Sequence, residues 1–261
     1  MSILQKIAQT KLEEVAKLKR IRGLASLKEG AKSQPPAKDF LKALQRPGKL
    51  SLIGELKKAS PSKGVLRTDF KIKPLAEAYA KAGVQALSVL TDVQYFQGSL
   101  IYLQEAKKAS NLPVLRKDFI IDELQVYEAR EAGADAILLI AAMMPPAKLK
   151  ELLAVTTELS MPSLVEIHDE RELEMALVAG AKLLGINNRN LDDFTVTLDT
   201  SFRLLPKCPK GLPVVSESGI LKREDAQRLK GAGVTAILVG EAFMTSPDVT
   251  AAVKSLMPQE N

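Results

Sequence analysis

Four segments of the chain share one local pattern: A-G-V-Q-A-L-S-V-L from Ala82, A-G-A-D-A-I-L-L-I from Ala132, A-G-A-K-L-L-G-I-N from Ala179 and A-G-V-T-A-I-L-V-G from Ala232. The steps between them are 50, 47 and 53 residues. A regular internal period constrains architecture strongly, because each repeat must be the same supersecondary unit. Here each Gly follows a helix-like stretch and opens a short apolar run. Glycine is expected there, just past a helix C-terminus, where a left-handed conformation is needed.

A second pattern alternates with the first. N-L-P-V-L-R-K ends at Lys117, S-M-P-S-L-V-E at Glu166 and G-L-P-V-V-S-E at Glu217. In each, Pro opens an apolar run and a charged residue stands four positions later. Proline is tolerated as the first strand residue, where its missing N–H costs no central ladder bond. S-L-I-G-E, ending at Glu55, has the same shape without the proline. Interleaving the two sets predicts eight short strands, near 51–57, 86–90, 113–118, 136–140, 163–168, 183–187, 213–217 and 236–240. Helical patterns fill most of the gaps, most clearly at 147–159 and 223–229. Alternating βα units with near-continuous apolar strands imply a parallel sheet. Eight of them with an internal repeat predict a closed (βα)8 barrel, the α/β TIM-barrel class. A doubly wound open sheet would usually offer a G-x-G-x-x-G turn after its first strand, and none is present.

Residues 1–48 precede the first strand. Ile3, Leu4, Ile7, Ala8, Leu12, Val15 and Ala16 recur at helical spacing and predict an amphipathic helix. A second short helix is expected over 39–44, and A-K-S-Q-P-P-A-K at 31–38 reads as a loop. A segment of this size rarely holds a core of its own. Residues 1–48 are therefore expected to be a helical extension packed on a single catalytic barrel, 49–261.

Composition excludes several classes. Among 261 residues, 46 % are hydrophobic and 26 % charged, an ordinary globular mix. Cys208 stands alone, so no intrachain disulfide can form. The net charge of +6 raises nucleic acid as a partner, but the basic residues are interleaved with acids and read as a solvated surface that helps to collect an anionic substrate. The longest apolar run, Ala136–Met144, stops at Pro145-Pro146, far short of the ~20 residues of a membrane span. The N-terminus has no signal-peptide core, and Glu13 and Glu14 argue against a transit peptide. A cytoplasmic enzyme with no membrane or nucleic-acid partner is expected.

In this fold functional groups stand at the C-terminal ends of strands and in the loops that follow. Glu55, Lys57, Lys117, Glu166, Asn187 and Glu217 all fall there. Glu55 and Lys57, two apart, share one face of the first strand. Buried charges are costly unless paired, so a cluster of this kind points to chemistry, with ion pairs closing the barrel as the structural alternative. S-E-S-G-I at 216–220 and V-G-E-A-F-M at 239–244 occupy the loops after strands seven and eight, the usual phosphate site of such barrels. Gly219 and Gly240 would let backbone N–H groups approach an anion. His168 lacks the companions a metal site needs, and Cys208 has no histidine partner in view, so neither a metal ion nor a nucleophilic cysteine is expected.

Six motifs carry a resemblance: E-L-K-K-A-S-P-S-K-G from Glu55, Y-F-Q-G-S at 95–99, L-R-K-D-F-I at 115–120, L-V-E-I-H-D at 164–169, G-I-N-N-R-N-L at 185–191 and S-E-S-G-I. In order and on separate loops, they resemble the indole-3-glycerol-phosphate synthase family. The resemblance runs from about residue 50 to 245, and the N-terminal extension is similar too. It implies closure of the indole ring of 1-(2-carboxyphenylamino)-1-deoxyribulose 5-phosphate with loss of carbon dioxide and water, a reaction expected to need no metal and no organic cofactor. It implies Lys117 as general acid on the ketone oxygen, Glu166 as base in the dehydration, and Lys57 or Lys117 as the acid of that step. Glu55 would orient the lysines, and Asn187, Glu217 and Ser218 would bind ribulose hydroxyls or the amine. Phe96, Phe119 and Leu138 would form the slot for the aromatic ring, with Ser60, Arg189, Gly219, Gly240 and Glu241 elsewhere on the substrate. Some members are fused to phosphoribosylanthranilate isomerase, and this chain is expected not to be. From the residues alone two other readings stay open. One is a Schiff-base aldolase using Lys57 or Lys117, and the other a non-catalytic sugar-phosphate-binding barrel.

Overall fold

The computed structural model describes residues 3–191 and 193–257. Eight parallel strands close a barrel: β1 (Ser51–Leu56), β2 (Ala86–Leu90), β3 (Val114–Lys117), β4 (Ala136–Ile140), β5 (Ser163–Ile167), β6 (Leu184–Asn187), β7 (Val214–Glu217) and β8 (Ala236–Val239). Each pairs with its neighbours in chain order, and β8 returns to β1 with Ser51 opposite Ala236. The strand limits match those expected to within one residue. The polar loop after β1 holds a small hairpin, Ala59–Ser60 against Gly64–Val65. No described helix is long and apolar enough to cross a membrane.

Three helices precede the barrel: α1 (Ile3–Ile21), α2 (Leu24–Lys32) and α3 (Phe40–Leu44). The helices between strands include α4 (Ile72–Ala82), α5 (Leu100–Ser110), α6 (Glu123–Glu131), α7 (Pro146–Glu158), α8 (Glu170–Ala179), α9 (Asp199–Leu204) and α10 (Arg223–Ala232). The short α11 (Glu241–Met244) follows β8, and α12 (Val249–Leu256) packs beside α4. The repeat glycines Gly83, Gly133, Gly180 and Gly233 lie at φ of 86°, 91°, 92° and 100°. Each lets the chain turn from helix to strand in a conformation that side chains with a Cβ resist.

One expectation is corrected. The loop read over 31–38 begins two residues later, because Ala31 and Lys32 close α2, a helix the apolar pattern did not predict. Its buried stripe is only Leu27 and Ala31, and Gly30 interrupts it. Glycine in a helix is unfavourable by itself. Here a Cβ on Gly30 would stand 2.1 Å from Glu131 Oε1. The same carboxylate accepts from Arg22 Nη2 at 2.8 Å, so the bare backbone lets α2 lie close against α6.

The core has two layers. The outer one fills the space between strands and helices. The inner one fills the barrel with Ile53, Ala86, Leu115, Ala136, Leu138, Leu164, Val215 and Ala236, and includes Phe40 and Leu44 of α3. So α3 stops the N-terminal end of the barrel, and Ser51 Oγ donates to Leu44 O at 2.7 Å to fix it. The C-terminal end stays open.

Candidate active site

Side chains alternate across a strand. On the odd-numbered strands the inner-core residues Ile53, Leu115, Leu164 and Val215 are each followed, two positions on, by Glu55, Lys117, Glu166 and Glu217. Four side chains from alternate strands make one layer of such a barrel. The uppermost layer here is therefore three carboxylates and one ammonium. Lys117 Nζ donates to Glu166 Oε2 at 3.2 Å and also to Glu217 Oε2. Lys57 stands one step higher and pairs with Glu55 Oε2 at 2.9 Å. Asn187, opposite Glu217 in register, accepts the Arg189 amide at 3.0 Å.

Above this layer lies a cavity of about 360 Å³. Glu55, Lys57, Lys117, Glu166, Asn187, Glu217 and Ser218 border it, and so do Ser60, Phe96, Phe119, Leu138, Arg189, Gly219, Gly240 and Glu241. The rings of Phe96 and Phe119 face each other with centroids 5.9 Å apart. Arg189 Nη2 lies 3.4 Å from Glu241 Oε2, and Lys63 Nζ 3.8 Å from Glu241 Oε1. Two glycines shape the charged floor. A Cβ on Gly240 would lie 2.2 Å from Glu55 Oε2, and one on Gly185 would lie 2.3 Å from Glu217 Oε1. Gly240 has φ −129°, so its role is the space it leaves rather than a left-handed turn. Ser218 and Gly219 are both left-handed, at φ 66° and 76°.

The crowding of charge sets the protonation states. Burial alone would lower the Lys117 ammonium, but the Glu217, Glu166 and Glu55 carboxylates outweigh it and hold the proton well above the ordinary lysine range. Burial would raise Glu166, but Lys117 and His168 keep it well below the usual carboxylate range, and Asn187 adds a hydrogen bond. Glu217 goes the other way. Burial, with repulsion from Glu166 and Glu55, overcomes Lys117 and pushes it up to about 7. His168 resists burial because Glu166 and Glu172 flank it, which raises the imidazolium to about 10. Its Nδ1 is 2.9 Å from Glu172 Oε2 and its Nε2 3.4 Å from Glu166 Oε1. The floor therefore keeps the Lys117 ammonium protonated and holds a further proton, on Glu217, that titrates near neutrality.

Sequence reasoning missed part of this site. Ile3, Leu4 and Ile7 of α1 line the cavity, so the extension is a wall of it. Their helical spacing showed a buried face but not what covers it. His168 was weighed only as a metal ligand, and its place beside Glu166 follows from E-x-H on one strand face. Lys11, Asp92 and Asp118, buried and joined by ion pairs, were not singled out.

The profile described as "Indole-3-glycerol phosphate synthase" matches residues 4–256. A curated protein of that name from Laribacter hongkongensis is 50 % identical over 258 residues, covering 97 % of this chain and 98 % of that protein. One from Desulfotalea psychrophila is 51 % identical over 243 residues, covering 93 % of each. Among solved structures, a 3-hexulose-6-phosphate synthase superposes with a TM-score of 0.65 at 18 % identity, over 79 % of this chain and 98 % of that one. That last likeness is one of fold. The sequence relationships are of another order, and by them the chain belongs to the indole-3-glycerol phosphate synthase family.

Proposed function

We propose that the layer of Glu55, Lys117, Glu166 and Glu217 closes the indole ring of 1-(2-carboxyphenylamino)-1-deoxyribulose 5-phosphate. The products are indole-3-glycerol phosphate, carbon dioxide and water. The observation that carries the assignment is the Lys117 ammonium. It is held between two carboxylates at the floor of a cavity with an aromatic pair on its wall.

In this reading Phe96, Phe119 and Leu138 hold the anthranilate ring. The phosphate lies at the loops after β7 and β8, near Gly219, Gly240, Ser60 and Arg189. Lys117 protonates the ketone oxygen, and the aromatic carbon that bears the carboxylate attacks the activated carbon. Loss of carbon dioxide restores aromaticity. At rest Glu166 is a weak base, because Lys117 and His168 share it. A ketone oxygen that draws the ammonium away frees Glu166 to take the proton lost in dehydration. Glu55 keeps Lys57 in place for the substrate's anionic groups or as the acid of the second step. Asn187, Glu217 and Ser218 bind the ribulose hydroxyls and the amine. Residues 1–48 work as part of the 49–261 barrel, since α1 walls the site and α3 stops the opposite end. A phosphate ester of this charge stays in the compartment where it is made, so we place the activity in the cytoplasm.

A Schiff-base lysine needs a depressed pKa to attack as the free amine. Lys117 is shifted the opposite way, which favours the acid role. The test is incubation with the carboxyphenylamino substrate while following indole fluorescence. The chain contains no Trp, so the protein adds no indole background. Product emission growing with time supports the reading. No emission from folded protein, or a substrate adduct trapped by borohydride on Lys117, overturns it.

A further inference from the structure

Lys11 is a lysine on α1 that is only 2 % exposed. Its Nζ lies 2.8 Å from Asp92 Oδ2, 2.9 Å from Asp118 Oδ1 and 2.8 Å from Glu14 Oε2. Asp92 and Asp118 are themselves fully or nearly fully buried. Each organises a different loop of the cavity. Asp92, two residues past β2, accepts the amides of Tyr95 and Phe96 on Oδ1, at 2.7 and 3.2 Å. Asp118, next to Lys117, accepts the Phe119 amide at 2.8 Å. Its other oxygen takes Thr91 Oγ1 at 2.5 Å and Arg116 Nη2 at 3.1 Å. One ammonium therefore joins the two carboxylates that set the two facing rings. One helical turn earlier, on the same face of α1, Ile7 lines the cavity. Thr10 Oγ1 meets Tyr95 OH at 2.9 Å and ties the helix to the same loop.

From this geometry we infer that Lys11 is a positioning residue for the aromatic slot. It locks the Phe96 loop to the Phe119 loop and seats the cavity-lining end of α1 over them. A buried ion pair gives little net stability, and removing one partner leaves an uncompensated charge. Without Lys11, Asp92 and Asp118 repel each other, and the loops they hold move apart. The phosphate end of the cavity, built from the loops after β7 and β8, makes no contact with this cluster among the bonds described. The inference rests on the proposed reaction only for the identity of the aromatic ligand.

The test compares wild type with Lys11→Met and Thr10→Val in two binding measurements on the folded chain. One is titration with anthranilate, followed by its own fluorescence. The other is protection by inorganic phosphate in thermal melts. Lys11→Met should weaken anthranilate by at least about tenfold, about 1.4 kcal/mol, while the phosphate response stays within twofold. Thr10→Val keeps every buried charge paired and should weaken anthranilate by roughly twofold to fivefold, again sparing phosphate. With substrate, both variants should raise KM more than they lower kcat. If Lys11 only stabilises the fold, anthranilate and phosphate binding fall together or neither moves, and the inference is overturned. Should Lys11→Met not fold, Thr10→Val decides alone: unchanged anthranilate affinity overturns the coupling. Absence of turnover in wild type would remove the proposed reaction, yet the binding comparison would still decide Lys11.

Discussion

Gly240→Ala separates two meanings of one glycine. Read from sequence, Gly240 lets backbone N–H groups reach a phosphate, and alanine there would chiefly raise KM. The structure puts a new Cβ 2.2 Å from Glu55 Oε2 and 2.9 Å from Glu55 Cβ. Non-bonded contact wants roughly 3.5 Å, so the carboxylate must retreat by more than about 1 Å. Rotating the carboxylate alone does not suffice, because Glu55 Cβ is too close as well. Glu55 Oε2 is also the atom that holds Lys57 at 2.9 Å, so both groups shift. Overpacking of this kind costs about 1–3 kcal/mol of stability, and a displacement of ~1 Å at a reacting centre costs up to about 10²-fold in rate. The expected result is a melting point lowered by several degrees and kcat reduced by roughly 10- to 100-fold, with a smaller change in KM. Gly219→Ala is the control. Its Cβ would meet Val196 Cγ1, the end of a side chain that can yield, and its φ of 76° strains the loop without touching Glu55. There KM should rise more than kcat falls. Steady-state kinetics on both variants decide the matter. An unchanged kcat with a raised KM in Gly240→Ala would show that Glu55 either is not displaced or does no work in the chemistry.

Lys117→Met should lower kcat by at least ~10²–10⁴ while substrate affinity changes by less than about tenfold; a variant retaining a tenth of wild-type kcat removes Lys117 as the acid. Glu166→Gln keeps size and hydrogen bonding but cannot take a proton, so in single-turnover mixing carbon dioxide release should outrun indole fluorescence. Equal slowing of both signals would mean that Glu166 acts before or during ring closure. His168 is raised from 6.5 to about 10 on folding, so its contribution to stability is complete below about pH 6.5 and lost as pH rises toward 10. His168→Gln should therefore flatten the fall in melting temperature between those limits by about 2 °C or more, and parallel curves for the two proteins would contradict the shift.

What the sequence made legible depends on the range of the interactions. The eight strands were readable because a strand buried on both faces is an apolar run, and because Gly83, Gly133, Gly180 and Gly233 punctuate the helices before them. The charged floor was readable for the same reason: a Glu or Lys ending such a run has few structural explanations. Lys11 was not. In sequence it is one of many lysines on an amphipathic helix, and its partners Asp92 and Asp118 are 81 and 107 positions away. Helix α2 was missed because its buried stripe is two residues long and Gly30 lowers its propensity. Only the Glu131 carboxylate, brought there by α6, explains that glycine.

The floor of the cavity also has a charge logic that no single pair reveals. Glu55, Glu166 and Glu217 supply three negative charges, and Lys57, Lys117 and His168 can supply three positive ones. With every group ionised the cluster is neutral and has no preference for an anion. Glu217, pushed up to about 7 by burial and its neighbours, removes that neutrality. When it holds a proton the cluster carries one net positive charge beneath a cavity that must admit a carboxylate and a phosphate. A substrate that brings a carboxylate and a phosphate adds negative charge to the cavity and favours the protonated form of Glu217 further. In the proposed mechanism that would keep Glu217 from competing for the Lys117 ammonium, which would then be free to turn from Glu217 toward the ketone oxygen. The third carboxylate of the layer is thus consistent with a site that must bind an anion first and donate a proton afterwards. Gly185, whose missing Cβ leaves room for Glu217 Oε1, is the backbone feature that makes a third carboxylate fit.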